Sequence, residues 1–241
     1  MFPIHDENPI RVIPYVTYTF MAICIGVFLW QVTHGQGDQN RIVYALGVTP
    51  AVLFGHMQLE PGLAWVPSSV TMLTSMFLHG GWMHLIGNML YLWVFGNNVE
   101  ADMGHGKFIV FYVLCGIAAV FAQALPDTTS QIPMIGASGA ISGVLGAYIL
   151  LYPMTRVTVM IPIFVILYRI KVTALVVLGV WFGMQLFSSI TTSSEGGGVA
   201  FGAHIGGFIA GMILIPFFKY AQVPLQIPFV HFNPLERFLK K

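Results

Sequence analysis

Three short clusters place polar side chains inside apolar runs: His84-Leu-Ile-Gly-Asn88, Gly136-Ala-Ser138-Gly139 and Ala203-His204-Ile-Gly-Gly207. A serine hydroxyl becomes a nucleophile when a neighbouring base takes its proton, and a histidine can serve as that base. Acyl transfer also needs hydrogen-bond donors aimed at the oxyanion that develops. The Asn88 amide, an N–H of His84 and the Ser138 backbone N–H are groups of that kind. His84 and Asn88, four residues apart, share a helix face, and free N–H groups at a helix start favour negative charge near Ser138. The small residues Gly136, Gly139, Gly143 and Ala147, with Gly207 and Gly211, are the usual means for two helices to approach closely. Ser138 and His204 can touch only if their helices do.

The elements that must position these groups follow from composition. Of 241 residues, 56% are apolar and 8% charged, with a mean hydropathy of +0.80, whereas soluble domains carry about 25% charged residues. A soluble surface cannot be built from so few charges, and disorder is excluded with it. The net charge of +1 offers no electrostatic footprint for nucleic acid. An integral membrane protein remains, expected as a single membrane domain over residues 1–241. Runs free of acid and base place spans near 12–33, 80–99, 108–125, 135–152, 172–190 and 199–218, so the fold class expected is an all-α bundle of six transmembrane helices. The N-terminal stretch reads neither as a cleaved signal nor as a transit peptide, so the first run is expected to stay as a span. The run Val157–Tyr168 is too short to cross and, with Pro162 and several β-branched residues, reads as an interfacial connector. The long loop 34–79 carries Leu53, Phe54, Leu63 and Trp65 and is expected to pack partly against the membrane interface.

Six spans put both termini on one side. That side then holds Arg11, Lys107, Arg156, Arg169, Lys171, Lys219, Arg237, Lys240 and Lys241, while the other holds Arg41 alone. An excess of basic residues marks the cytoplasmic side, so both termini are expected in the cytoplasm and the loop 34–79 outside. Spans two, four and six then all run inward from the outer face. At 1.5 Å per residue, Ser138 and His204 fall about 5–8 Å below the outer boundary, and His84 and Asn88 about 6–12 Å. Three non-adjacent helices thus offer a hydroxyl, two imidazoles and a carboxamide at one depth. No acid falls inside the runs 80–99, 135–152 and 199–218, so a buried aspartate orienting the base has no candidate, and the arrangement reads as a Ser–His dyad.

Other patterns carry less. Gly35-Gln36-Gly37-Asp38 matches the Gly-x-Gly-Asp of intramembrane aspartyl proteases, but it lies in a polar loop without a second carboxylate in any span. The remaining histidines are scattered in loops and tails, so no metal site is expected. Ser138 is followed two places on by Ala140, which does not meet the Gly-x-Ser-x-Gly elbow. Cys24 and Cys115 lie in apolar runs and read as small apolar side chains.

Together the motifs resemble the rhomboid family of intramembrane serine proteases, over roughly Ser69 to Phe218. The resemblance rests on His79, His84 and Asn88, on Gly136-Ala-Ser138-Gly139, and on Ala203-His204 followed by Gly207 and Gly211. It implies a six-helix core in which Ser138 is the nucleophile, His204 its base, and Asn88, His84 and the Ser138 N–H the oxyanion stabilisers. His79 would hold the outer loop near the site. The fifth span and the loop Thr191–Gly202, with Gly196, Gly197 and Gly198, would form a lateral gate and cap. The implied reaction is cleavage of membrane-protein substrates in or beside a transmembrane helix near the outer face, without cofactor or metal. A bacterial cytoplasmic membrane suits the short tails. Many relatives carry Trp-Arg shortly before the first histidine, where this chain has Val70-Thr71, and some carry tyrosine four residues after the serine, where it has Ser142. Two rival readings are a non-proteolytic rhomboid-like factor that binds or escorts membrane proteins, and a transporter. The first usually lacks the serine or the histidine. The second needs a polar lining through the full thickness, which the apolar inner halves of spans two, four and six do not offer.

Overall fold

In the computed structural model, which describes residues 2–163, 166–191 and 199–226, each of the six apolar runs contains a helix. In chain order the helices are α1 (Tyr15–Val32), α2 (Gln36–Leu46), α3 (Pro50–Leu53), α4 (Ser68–Thr74), α5 (Trp82–Met103), α6 (His105–Ala124), α7 (Ser138–Leu151), α8 (Ala174–Thr191) and α9 (Phe201–Phe218). Among the described residues three strands accompany them: β1 (Phe2–Asp6), β2 (Arg156–Ile163) and β3 (Ile166–Thr173). Among the described residues, four segments are long and apolar enough to cross a membrane: α1, α6 with the turn that follows it (His105–Asp127), α8 and α9. Helix α5 carries Asn97, Asn98, Glu100 and Asp102 in its last turns, and α7 is only 14 residues long.

The shortness of α7 has a structural meaning. At 1.5 Å per residue it spans about 21 Å, less than the hydrocarbon thickness of about 30 Å. It is apolar or small on every face, the mark of a fully surrounded helix, and nearly all its residues are buried. It therefore stands inside the bundle with α5, α6 and α9 packed around it. The backbone reaches Ser138 through Gly136 at φ +125°, a conformation that suits glycine, and α7 begins at Ser138 itself.

Helices α6, α7 and α9 meet through small residues. A Cβ at Gly207 would strike the carbonyl of Gly139, one at Gly211 the carbonyl of Gly143, and one at Gly146 the carbonyl of Phe208. On the other side of α7, a Cβ at Gly139 would lie 2.6 Å from the Ala119 methyl. These glycines act as packing surfaces, as their spacing suggests.

The expected interfacial connector takes the form of two paired strands. Arg156-Val-Thr-Val alternates, burying Val157 and Val159 and turning Arg156 and Thr158 outward, which is the two-residue period of a strand. Strand β2 pairs antiparallel with β3 from Arg156↔Thr173 to Ile163↔Ile166, and with β1 from Asp6↔Val157 to Phe2↔Met160. The chain is therefore mostly helical rather than all-α. Helix α8 starts directly where β3 ends.

The loop 34–79 is folded. It contains α2, α3, α4 and a single tight turn at Ser75–Phe77, and buries Ile42, Ala45, Val48, Ala51, Met76 and Leu78. The Thr74 hydroxyl donates to the Leu46 carbonyl at 2.6 Å, Val48 bridges to Met134, and the Gly136 N–H donates to the Ser75 carbonyl at 2.8 Å. Thus the loop is fastened to the segment that leads into Ser138.

Candidate functional site

Ser138 and His204 meet. The histidine ring, 9% exposed, sits on the first turn of α9 with its Nε2 2.8 Å from the Ser138 Oγ. The close packing of α7 on α9 brings them together across 66 residues of chain. The other ring nitrogen, Nδ1, lies 2.8 Å from the Oε1 of Gln185 on α8. A side-chain carbonyl oxygen only accepts, so Nδ1 carries the proton and Nε2 presents its lone pair to the serine, whose hydroxyl donates. A base of that tautomer beside a hydroxyl can take up its proton.

His84 and Asn88 project from the first two turns of α5 into the same space. The Gly80 N–H donates to the Nδ1 of His84 at 3.4 Å, which leaves the His84 proton on Nε2. A carbon placed on Gly136 would lie 2.8 Å from that Nε2 and 3.6 Å from the Ser138 Oγ, so the absence of a side chain at Gly136 keeps this gap open. Asn88 is 7% exposed, and its Nδ2 is buried without a hydrogen-bond partner among the described residues. Such orphaned donors are rare in native proteins and call for a reason. Ser138, as the first residue of α7, has no acceptor for its N–H within its own helix. A nucleophile–base pair, two side-chain donors and one backbone donor border one cavity of about 970 Å³, lined also by Tyr91, Leu145 and Trp181.

His79 lies just behind. Its ring is edge-on to His84 with centroids 5.2 Å apart, and it is not part of the cavity wall. Its backbone is held by α1: the His79 N–H donates to the Gln31 Oε1 at 3.1 Å, and the Gln31 Nε2 donates to the His79 carbonyl at 3.3 Å. Burial, with His84 nearby, pushes the His79 imidazole down to about 4, so it is neutral near pH 7. This amide clamp supplies an attachment that a chain with Val70-Thr71 has to find elsewhere.

Ser142 does not support the histidine. Its hydroxyl donates to the Ser138 carbonyl at 2.6 Å. The ring that lies against His204 is Trp181 of α8, with centroids 5.8 Å apart and planes tilted by 37°. Gln123 of α6 accepts the Ala203 N–H at 3.2 Å, satisfying a free donor at the start of α9. Gln31, Gln123, Trp181 and Gln185 were not signalled by the three polar clusters. A lone amide in an apolar run is a visible signal, but the sequence does not show which neighbour it faces. Gly196, Gly197 and Gly198 of the expected cap lie outside the described residues.

Comparison with known proteins gives the same direction. The family description "Rhomboid domain" matches residues 67–221. The chain is 30% identical to "Rhomboid protease GluP" of Bacillus subtilis over 201 residues, covering 83% of this chain and 35% of that protein. It is 28% identical to "Rhomboid protein 1, mitochondrial" of Saccharomyces cerevisiae over 204 residues, covering 75% and 54%. With "Rhomboid protease AarA" of Providencia stuartii it shares 26% over 234 residues, covering 88% and 74%. The chain thus spans about a third to a half of the length of the first two of these relatives.

Proposed function

This chain belongs to the rhomboid family and is an integral membrane protein, and from that premise we propose that it is an intramembrane serine protease working through a Ser138–His204 dyad. The observation that carries this reading is the 2.8 Å contact between the Ser138 Oγ and the His204 Nε2. In the proposed mechanism His204 takes the serine proton as Oγ attacks a substrate carbonyl. The oxyanion is received by the Asn88 amide, the His84 Nε2–H and the Ser138 N–H, donors fixed in place before the charge appears. The imidazolium then gives its proton to the leaving amine. Water deprotonated by the same imidazole releases the acyl group, restoring Ser138. Serine and imidazole carry both half-reactions, so the mechanism requires neither metal nor cofactor.

A helix conceals its carbonyls, so the substrate segment must unwind before it can reach Oγ. The depth expected for Ser138 and His204 from residue counting, about 5–8 Å below a boundary, supports a cut near one end of a transmembrane helix rather than at its middle. The one-sided distribution of basic residues supports an outer-face site with six spans and both termini in the cytoplasm, and we assign the chain to a bacterial cytoplasmic membrane. Substrates are then single- or multi-span membrane proteins.

The test is cleavage of a labelled single-span substrate in liposomes by wild type and Ser138→Ala. The expected loss is about 10⁴-fold or more in kcat. Equal cleavage by both proteins would sink the dyad.

A further inference from the structure

We propose that Gln185 is a positioning residue for His204: its side-chain oxygen, reaching from α8, accepts the Nδ1–H and so holds the tautomer whose Nε2 lone pair faces Ser138. The proposal rests on the Ser138–His204 reading above and extends it to a third helix. Two bonds of equal length, Gln185 Oε1 to Nδ1 and Ser138 Oγ to Nε2, both 2.8 Å, run through one imidazole. A base that must accept at one nitrogen needs its proton kept at the other, which is the part an aspartate plays in a serine triad. Among the described residues no carboxylate bonds to His204. Its ring meets Ser138 from α7 and Gln185 and Trp181 from α8, and the α5 side of the cavity contributes His84 and Asn88. Ser142, which could have approached from below, is turned to the Ser138 carbonyl.

The amide also has a wrong orientation. Rotated by half a turn, Gln185 offers N–H to Nδ1, forces the histidine proton onto Nε2 and removes the acceptor from the serine. A carboxylate at the same place has no such orientation. Trp181, one helical turn earlier on the same face of α8, lies against the ring and restricts its rotation. Trp181 and Gln185 together fix the plane and the tautomer of the base from a helix whose own buried residues are Ala174, Val177 and Leu178.

The experiment uses the full chain in liposomes with a labelled single-span substrate, comparing wild type, Gln185→Leu, Gln185→Glu and Ser138→Ala, each checked for folding by thermal unfolding in detergent. Gln185→Leu should lower kcat about tenfold, the scale of one hydrogen bond, with KM changed by less than about twofold. Gln185→Glu should keep kcat within about threefold of wild type on its alkaline plateau. Its acidic limb should move to higher pH, because a carboxylate at Nδ1 holds the imidazolium proton more tightly. A wild-type kcat in Gln185→Leu, or an unmoved acidic limb in Gln185→Glu, would overturn the positioning role; if Gln185→Leu fails to fold, the limb of Gln185→Glu decides alone. An inactive Ser138→Ala alongside unaffected Gln185 variants sinks the positioning role only. An active Ser138→Ala sinks the dyad and the positioning together.

Discussion

Toward one end of α5, Asn88 holds its amide nitrogen buried with no acceptor among the described residues; about 18 Å further along the same helix, Glu100 is fully buried and well bonded. The Glu100 carboxylate accepts the N–H groups of Val16 and Thr17 and the Thr17 hydroxyl, at 2.9, 2.8 and 2.6 Å, and bonds to the Nδ1 of His105 at 2.6 Å. It thereby caps the start of α1, where free N–H groups await an anion. Around it, Asp6 accepts from Asn98 at 2.8 Å and from Tyr148 at 2.5 Å, and Asp102 accepts from Tyr152 at 2.5 Å. At the Ser138 end the acid in the cavity wall, Asp127, is bonded to Thr129; of the three proposed oxyanion donors, the Asn88 amide nitrogen has no acceptor among the described residues and the Ser138 N–H has none within its own helix. The Glu100 end concentrates acids and satisfies them. Glu100, Asp6 and Asp102 are bonded in the folded state, whereas the Asn88 amide, proposed to receive a charge that exists only during reaction, is left without a partner among the described residues, as are buried atoms of Thr49, His79 and Tyr112.

That contrast can be broken by substitutions that move activity and stability separately. The largest effect is expected from Asn88→Ala, which should lower kcat about 10² to 10³-fold, the usual loss for one oxyanion donor. Thermal unfolding should not become easier, since the removed donor has no partner among the described residues. A stability loss without a kcat loss would make Asn88 a structural residue. Glu100→Gln should do the reverse. It replaces a charge-assisted cap by a neutral one and should cost about 2 kcal/mol of stability, read by denaturation in detergent, while kcat per folded molecule stays at the wild-type level. A fall in kcat at full folding would show that the two ends are coupled. The smallest effect is expected at the exposed pair of Glu7 and Lys171, 2.8 Å apart. The hydrogen bond from Lys171 holds the Glu7 carboxyl below its ordinary 4.5. Its contribution is therefore present above that value and fades as pH falls through the lowered one. Solvent screens such pairs, so Glu7→Gln should leave the unfolding midpoint unchanged at pH 7, and any difference seen there should close in acid. A clear drop at pH 7 would mean that β1 is anchored by this pair rather than by Asp6, Asn98 and Tyr148.

The Ser138 end was legible in the sequence because its groups are rare. A serine and two histidines in acid-free runs stand out, and the alternation of helix direction brings them to one depth. The glycine stripe was legible for the same reason, since Gly207 and Gly211 have few other uses in an apolar helix. Gln185 was not, because α8 faces lipid over most of its surface. An apolar solvent removes the inside–outside contrast by which sequence periodicity tells which face meets a neighbour. The strand pair was only half legible: the shortness, Pro162 and β-branched residues of Val157–Tyr168 marked a connector, but the partner that completes the sheet, β1, lies far away in sequence. Gln31 as the holder of His79 was hidden likewise, because its amide bonds to backbone and side-chain pattern cannot report that.

The packing of Gly207 and Gly211 against the carbonyls of Gly139 and Gly143 has a consequence for how this site can change over generations. The separation of hydroxyl and imidazole is set by backbone resting on backbone, and every possible replacement at those glycines adds at least one carbon where a carbonyl already stands. The spacing of the pair can be lost in one mutational step, but no single step at those positions adjusts it. If the proposed proteolysis holds, variation in which proteins are cut is left to surfaces that can vary by degrees: the folded loop 34–79, the cavity wall at Tyr91 and Leu145, and the exposed face of α8.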